Sequence, residues 1–517
     1  METKTLQQFQ DEPYSTKCAN FRRNSVSWKD VKYQIVTSNV AFLFTIHAGV
    51  NLAFSNLLLN DLDRDTSSWF ASMGAIGTPI GAIACGPLMD RFGRKACNLM
   101  IALPCVGAWL ILGLVDRRNV LLLYLSRLLA GIAAGLTTSN LVYVSETSHK
   151  KYRSLFLSLL GIHFAFGILL TTLLKLIFTW KQSAVFFAAF FSVVALLVLR
   201  LTPESPVWLA NFRNDFHAAK RSLSVLNSNA QILQEEWCQL QRTNVATAED
   251  EEEDEEKTAM AASTGTRGGD VGGGKYGWFE PTVYKPLATL IILILMQQLS
   301  GLYATVYYAY DIFPRLSPKI GRTLKQEAFV LFGVVRFVAS LVSCCVSTKV
   351  GRRKLLMASS VAMLLALVST VVSTSVSVSV SATLDAAEWR DFAEYAATFG
   401  FVLYVGVGAV GVMTIPWTLI VELMPTEKRA FGGAALISYA YLLIFVLVKT
   451  LPFALDYVGV IGTFTFFAAI SLLITFFVYF FVPETLNRTL FEIESFYAHA
   501  NANANAAAAA DYPKISR

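Results

Sequence analysis

The sequence predicts an all-α membrane protein, with twelve transmembrane helices in two six-helix halves and both termini cytoplasmic. Three observations carry this expectation. The chain has 517 residues, 54% hydrophobic and only 15% charged, where a soluble globular protein is about a quarter charged. Apolar runs of about 20 residues, enough to cross a bilayer core, recur about twelve times. Three short charged motifs also occur twice, in the same order, once in each half of the chain.

Taken in order, residues 1–34 form a polar segment with no apolar stretch of the cleavable-signal kind, so the first span must itself direct insertion. Six apolar runs then fill 35–202, near 35–58, 69–89, 98–115, 120–145, 155–179 and 183–202. Residues 203–285 read as a cytoplasmic linker. Its acidic block EDEEEDEE (Glu249–Glu256) and the glycines that follow have the composition of a disordered segment. GGDVGGGK within it does not have phosphate-loop spacing. Six further runs fill 286–482, near 286–313, 326–347, 354–374, 395–423, 431–454 and 457–482. Thr374–Asp391, with its alternating Ser and Val, is expected to be a mobile external coil, because a lone strand has nothing to pair with. The tail, 483–517, ends in the low-complexity stretch NANANAAAAA.

Basic residues set the orientation. Lys17, Arg22, Arg23, Lys29 and Lys32 precede the first span, and Arg91, Arg94, Lys95, Lys150, Lys151 and Arg153 occupy connections on that same side. Lys349, Arg352, Arg353, Lys354, Lys428 and Arg429 repeat the bias in the second half. One loop on the opposite side, near 314–325, is also basic, which weakens the bias without reversing it.

The repeat is specific. DRFGRK (Asp90–Lys95) is echoed by TKVGRRK (Thr348–Lys354). Glu146 and Arg153, seven apart, are echoed by Glu422 and Arg429. PESP at Pro203 is echoed by PET at Pro483. Two parallel halves with a site near the midplane between them is an architecture of membrane carriers.

Other classes are excluded by what the residues lack. The net charge of +6 is spread over short connections, with no basic stripe interleaved with aromatics, which argues against nucleic acid. Seven scattered cysteines show no CxxC spacing and read as apolar fillers or inert thiols. No metal cluster, cofactor site or nucleophile constellation is present, so no enzyme is expected.

GPLMDRFGRK, SRLLAGIAAG, YVSETSHKKYR, PESPVWL, QQLSG, VGRRK, IPWTLIVELMPTEKR and PETLNRTL stand in this order between about Ser68 and Glu492. On these motifs the chain resembles the sugar porter branch of the major facilitator superfamily. It is similar to facilitative hexose carriers and to insect trehalose transporter-like proteins, as a divergent member. The resemblance implies alternating access and facilitated diffusion of a sugar or related polyol across a cell membrane, such as the plasma membrane. It implies that Asp90, Arg91, Arg94, Glu146, Arg153, Arg352, Arg353, Glu422 and Arg429 form charge networks that hold the inner face shut in one state. Gly131 and Gly135, with Gly74, Gly77 and Gly81, are expected to be close-packing positions.

The candidate site rests on MQQLSGLYATVYY (Met296–Tyr308). Gln297, Gly301, Thr305 and Tyr308 recur at steps of four, four and three, which places them on one face of a helix, with Gln298 beside it. The resemblance adds Trp417 after Pro416, an aromatic against which a sugar ring stacks. It adds Asn51 at the place where proton-coupled relatives carry Asp, which favours uniport. His47 nearby is expected to be a buried hydrogen-bonded residue. The chain departs from the pattern at Tyr303, Gly161, Ala440 and Tyr441, where amides or Trp are usual, at Leu141, Thr348 and Ser154, and at Arg336 in LFGVVRFVASLV, where Asn is usual. An arginine inside a span costs about 3 kcal/mol on insertion scales and must face the cavity, find a carboxylate or snorkel. Either the substrate is anionic, with Arg336 as a ligand, or hexose transport has decayed. Poor glucose transport is expected in both cases. A proton-coupled or organic-anion porter, or a transport-impaired sensor, remain the alternatives. The oligomeric state is not readable from the sequence.

Overall fold

The structure is a computed structural model that describes residues 27–28, 30–241, 281–318, 324–347, 349–380, 387–424 and 426–486. The side chains of residues 60, 154, 281, 282, 380, 387, 421 and 426–431 are not described. The acidic block, GGDVGGGK, Thr348, the side chain of Arg429 and the C-terminal tail therefore lie outside the described parts.

Among the described residues, twelve helices are long and apolar enough to cross a membrane. They are α1 (Lys32–Ala53), α2 (Arg64–Phe92), α3 (Arg94–Leu114), α4 (Val120–Thr147), α5 (Leu155–Ile177), α6 (Trp180–Leu201), α7 (Val283–Leu316), α8 (Lys325–Ser347), α9 (Arg352–Ser379), α10 (Glu388–Ile420), α11 (Gly432–Tyr457) and α12 (Gly459–Phe481). Each matches an expected apolar run. No strand occurs among the described residues, as a bilayer requires of open backbone. Short helices Pro206–Asn211, Phe216–Leu226 and 230–241 follow α6 on the inner face, the face of the basic connections.

Sequence dictates packing most directly between α2 and α4. A Cβ on Gly77 would lie 2.3 Å from the Leu128 carbonyl, and one on Gly131 would lie 2.1 Å from that of Gly74. Gly81 and Gly135 meet Ile132 and Thr78 in the same way. The absent side chains let two backbones touch. His47 is fully buried beside this pair. One ring nitrogen lies 2.8 Å from the Ala130 carbonyl, and the other accepts from Trp109 Nε1 at 3.1 Å. Both nitrogens are occupied, as a structural histidine requires.

Two expectations are corrected. Residues 374–380 are not coil, because the helix beginning at Arg352 continues to Val380. Thr374, Ser375 and Ser379 donate to the carbonyls of Thr370, Val371 and Ser375, so each hydroxyl is satisfied on its own helix. A backbone bonded within itself suits an apolar medium better than any strand period. Cys238 is disulfide-bonded, against the expectation of inert thiols.

The two halves meet along α5–α8 and α2–α11. Gly333 of α8 makes room for Thr172 of α5, and Phe166 packs on Phe337 with ring centroids 6.0 Å apart.

Candidate functional site

At mid-membrane α7 and α10 both break. α7 is helical over Pro281–Leu299 and Leu302–Leu316, with Gly301 between them at φ 78°. Only glycine adopts that backbone readily, and a Cβ here would also meet the Phe467 ring at 2.4 Å. α10 is interrupted between Val410 and Ile415, where Pro416 opens the next helical stretch. A proline in a first helical turn removes no hydrogen bond.

The breaks are braced against each other. Gln297 Nε2 donates to the Val412 and Met413 carbonyls at 2.8 and 3.3 Å, and Tyr303 Oη donates to the Met413 carbonyl at 3.2 Å. These carbonyls have lost helical partners and cannot find water in a bilayer core. Trp417 Nε1 in turn donates to Tyr303 Oη at 2.7 Å, and Tyr441 packs on the other side of Trp417 at 6.0 Å. Gln298 Nε2 donates to Gln297 Oε1 at 3.3 Å.

Among the buried polar atoms without a protein partner, Gln298 Oε1 and Arg336 Nε lie at these breaks, and Asn51 Oδ1 and Arg127 Nη1 lie in the first half. Unpartnered buried groups of this kind are costly, and where they cluster they mark a place for a ligand. Arg127 comes from α4. It donates to the Asn51 carbonyl at 2.6 Å, to Ser55 Oγ at 3.2 Å and to the Phe70 carbonyl at 3.3 Å. Arg336 comes from α8 and is 2% exposed. Tyr307 lies within electrostatic range of Arg127, and Tyr303 within that of Arg336. A Cβ on Gly161 would meet nothing within 4 Å, so the amide position of relatives is empty space here.

The inner face carries two matching clusters, one per half. Glu146 accepts from Arg94 Nε and Nη2 at 2.9–3.1 Å, and Ser205 also donates to it. Glu204 Oε1 accepts from the Arg94 and Lys95 backbone N–H groups, both at 2.9 Å. In the second half Glu422 pairs with Arg352 at 3.1 Å and accepts from Thr485 at 2.6 Å, while Glu484 accepts from the Arg352 N–H at 2.8 Å. Gly93 and Gly351 are glycines because a Cβ there would strike Glu204 and Glu484, at 2.5 and 2.0 Å.

The outer face differs in that several of its polar bonds cross between the halves. Asn56 of the first half donates to the Val306 carbonyl at 2.8 Å and accepts from the Tyr310 N–H at 2.9 Å. Arg64 pairs with Asp456, which also accepts from Arg315 at 2.9 Å. Lys449 reaches Asp65 and Ser68 at 2.9 and 2.7 Å. A small cavity of about 170 Å³, lined in part by Arg64, Asp311 and Tyr308, lies just inside.

A family model described as "Sugar (and other) transporter" matches residues 15–497. The chain belongs to this family. Among its relatives, the facilitated trehalose transporter Tret1 of Bombyx mori is 27% identical over 437 residues, covering 84% of this chain and 79% of that protein. Tret1 of Drosophila mojavensis is 27% identical over 456 residues, 88% of this chain. The chain spans about half the length of the Drosophila mojavensis and Aedes aegypti relatives, 49% and 52%. Solved structures share the fold. The major facilitator proton:xylose symporter XylE bound to 6-bromo-6-deoxy-D-glucose has a TM-score of 0.66 at 18% identity, over 90% of this chain and 100% of that one. The human organic anion transporter MFSD10 has a TM-score of 0.52 at 14% identity, over 86% and 99%. The protein is thus an integral, multi-pass membrane protein of the sugar transporter family, with the fold of the solved major facilitator structure.

Within this family member the expected site residues separate. Gln297, Gln298, Tyr303, Trp417 and Arg336 converge on the paired breaks, whereas the Asn51 amide lies against Gly74 of α2 within the first half, where the Asn51 carbonyl accepts from Arg127. Tyr308 does not join them. It lines the outer cavity and donates to the Val448 carbonyl at 3.0 Å. The single helical face drawn through Gln297, Gly301, Thr305 and Tyr308 does not exist, because the helix restarts at Leu302. Arg336 has neither snorkelled nor found a carboxylate.

Of the expected charge network, Asp90, Arg94, Glu146, Arg352 and Glu422 converge as described, with Asp90 3.5 Å from Arg94. Arg91 stacks over Phe92, Arg353 donates to the Tyr479 carbonyl, and Arg153 donates to the Ser148 carbonyl at 3.5 Å. Glu204, Glu484, Arg127 and Asn56 were not singled out from sequence. The repeated Pro-Glu dipeptide held the signal for the first two. Arg127 carried the same signal as Arg336, a charge inside an apolar run. Asn56 carried none.

Proposed function

We propose that the protein moves a sugar or related polyol across a membrane, the plasma membrane being the site we favour, by facilitated diffusion and without covalent chemistry. The observation that carries this reading is the pair of unpartnered polar atoms at the paired breaks, Gln298 Oε1 and Arg336 Nε, with Trp417 bonded to Tyr303 beside them. Gln298 Oε1 is an uncharged acceptor suited to hydroxyls. Trp417, half-buried, offers a ring on which a pyranose can stack. The names of the trehalose transporter relatives support the substrate class.

In this reading the cross-half bonds of Asn56, Arg64, Asp456 and Lys449 close the outer side. The inner clusters brace each half as a rigid body, residues 35–202 and 286–482. Substrate binding shifts the balance between two packings that differ by a few kcal/mol. Uniport is supported by the neutral Asn51 and by His47, whose two nitrogens are already occupied.

The test is counterflow. Full-length protein in liposomes preloaded with unlabelled trehalose, glucose or sorbitol should accumulate the labelled form, independently of an imposed pH gradient. Trp417→Ala should abolish it. Absence of counterflow with the whole panel would overturn the sugar reading.

A further inference from the structure

Arg336 sits at the midpoint of α8, so either membrane surface is about 16 Å away at 1.5 Å per residue. Its side chain cannot reach water at either end. Its protein partners are poor. Nη1 donates to Ser340 Oγ at 3.0 Å, and Nη2 points at the Met413 thioether at 3.0 Å. Nε has no partner. A guanidinium offers five N–H donors, and a thioether is a weak acceptor.

No described carboxylate compensates the charge. Glu394 accepts from Ser317 at the outer end of α10, and Glu422 is held by Arg352 and Thr485 at the inner end. Arg127 is a useful contrast. It is equally buried, but it donates to two backbone carbonyls and a hydroxyl, and its charge also lies over the Phe70 ring at 5.1 Å. Arg336 has nothing of that kind. A buried charge without a counter-charge costs several kcal/mol, and in a membrane it marks a functional site by default.

The free part of Arg336 is also a particular shape. Nε has no partner and Nη2 holds only sulfur, so the Nε–Nη2 edge is the one left unsatisfied. That edge is the bidentate face that matches a planar carboxylate. Tyr303 lies beside it, and Trp417 Nε1 donates to the Tyr303 hydroxyl. The carboxylate edge and the stacking ring therefore belong to one site.

We infer that the substrate is a polyhydroxylated monocarboxylate, a sugar acid, whose carboxylate docks on the Nε–Nη2 edge of Arg336. Its hydroxyls bond to Gln298 Oε1, and its ring packs on Trp417. A phosphate dianion would bring two charges to one guanidinium, so a monoanion is the better match. This rests on the reading of the paired breaks in α7 and α10 as the transport site. It replaces a neutral sugar by a charged one, and each uncoupled translocation then moves one negative charge.

The experiment uses the full-length protein in liposomes, with labelled D-glucuronate and D-glucose as probes. The wild type should show saturable glucuronate counterflow that responds to a valinomycin-clamped potential. Arg336→Asn should lower the ratio of glucuronate to glucose flux about 30-fold, the value of a lost charge-assisted bond pair. Arg336→Lys should restore part of it, which separates loss of charge from misfolding. Glucose flux without glucuronate flux overturns the anion and leaves the sugar reading intact. Glucuronate flux with the ratio unmoved by Arg336→Asn overturns the role of Arg336. If neither probe moves, and neither raises the thermal stability of the wild type, both readings fall.

Discussion

The two faces of the molecule use the same chemistry in opposite ways. On the inner face, Arg94 with Glu146 and Arg352 with Glu422 pair within one half. On the outer face, Arg64 with Asp456 and Lys449 with Asp65 pair across the divide. In the proposed alternating-access cycle the inner clusters stiffen the moving parts, whereas the outer bonds decide how the parts sit. The lesson is that a salt bridge in a carrier is to be read by what it joins. The same two residue types stabilise a body in one place and bias an equilibrium in the other.

Four changes test this division. The largest effect is expected at Glu146→Ala. Arg94, with its side chain 8% exposed, loses its buried counter-charge and keeps only the exposed Asp90 at 3.5 Å, and removing one partner of a buried pair costs about 3–5 kcal/mol. Thermal unfolding in detergent should show it, with a smaller loss for Glu422→Ala, whose more exposed pair is better screened. Equal losses in both would deny the inner face its bracing asymmetry.

Asn56→Ala comes next. It removes two buried bonds between the halves, about 2 kcal/mol, which shifts a conformational equilibrium about 30-fold. Unfolding temperature should fall modestly, while labelling of a Ser67→Cys probe by an impermeant maleimide added outside should rise. Unchanged labelling would place the outer seal elsewhere.

Asp456→Asn should act in the same direction but more weakly, by about 0.5–1 kcal/mol, because Arg64 and Asp456 are partly exposed. Its effect on Ser67→Cys labelling should shrink in high salt. A salt-independent effect would argue for packing rather than charge.

The smallest effect concerns helix 230–241. Its Glu236 accepts from Asn227 at 2.6 Å, and Asn227 accepts from Gln34 at the start of α1 at 2.8 Å. Burial raises the Glu236 carboxyl above its ordinary value, partly offset by the Asn227 bond. The folded state therefore holds this proton more tightly than the unfolded one. Its contribution is fully present below the ordinary carboxylate range and is lost as pH rises through the raised value. Hydrogen exchange in 230–241, corrected for intrinsic rates, should speed up over that rise, and Glu236→Gln should flatten the profile. A flat wild-type profile would mean that this carboxyl does not hold the helix.

Much of this was legible in the chain, and the reason lies in distance along it. Span count, duplicated halves and the glycine stripes follow from local composition and spacing, which the bilayer reads directly. The inner clusters were legible because the duplication displays each of them twice. Sequence also marked Gln297, Tyr303, Trp417 and Arg336 as belonging together, since each is polar or aromatic where the medium demands a reason.

Only the tertiary structure decided what those residues touch. Gln297 braces a break in α10 that lies 115 residues away, and Tyr308 turns to the outer cavity because α7 restarts at Leu302. Asn56 meets Val306 across 250 residues, and no periodicity carries such a pairing. Burial and charge placed Arg336 in a span. Its lack of a counter-charge emerged only when helices far apart in sequence were packed around it, because compensation depends on which groups come within a few ångströms.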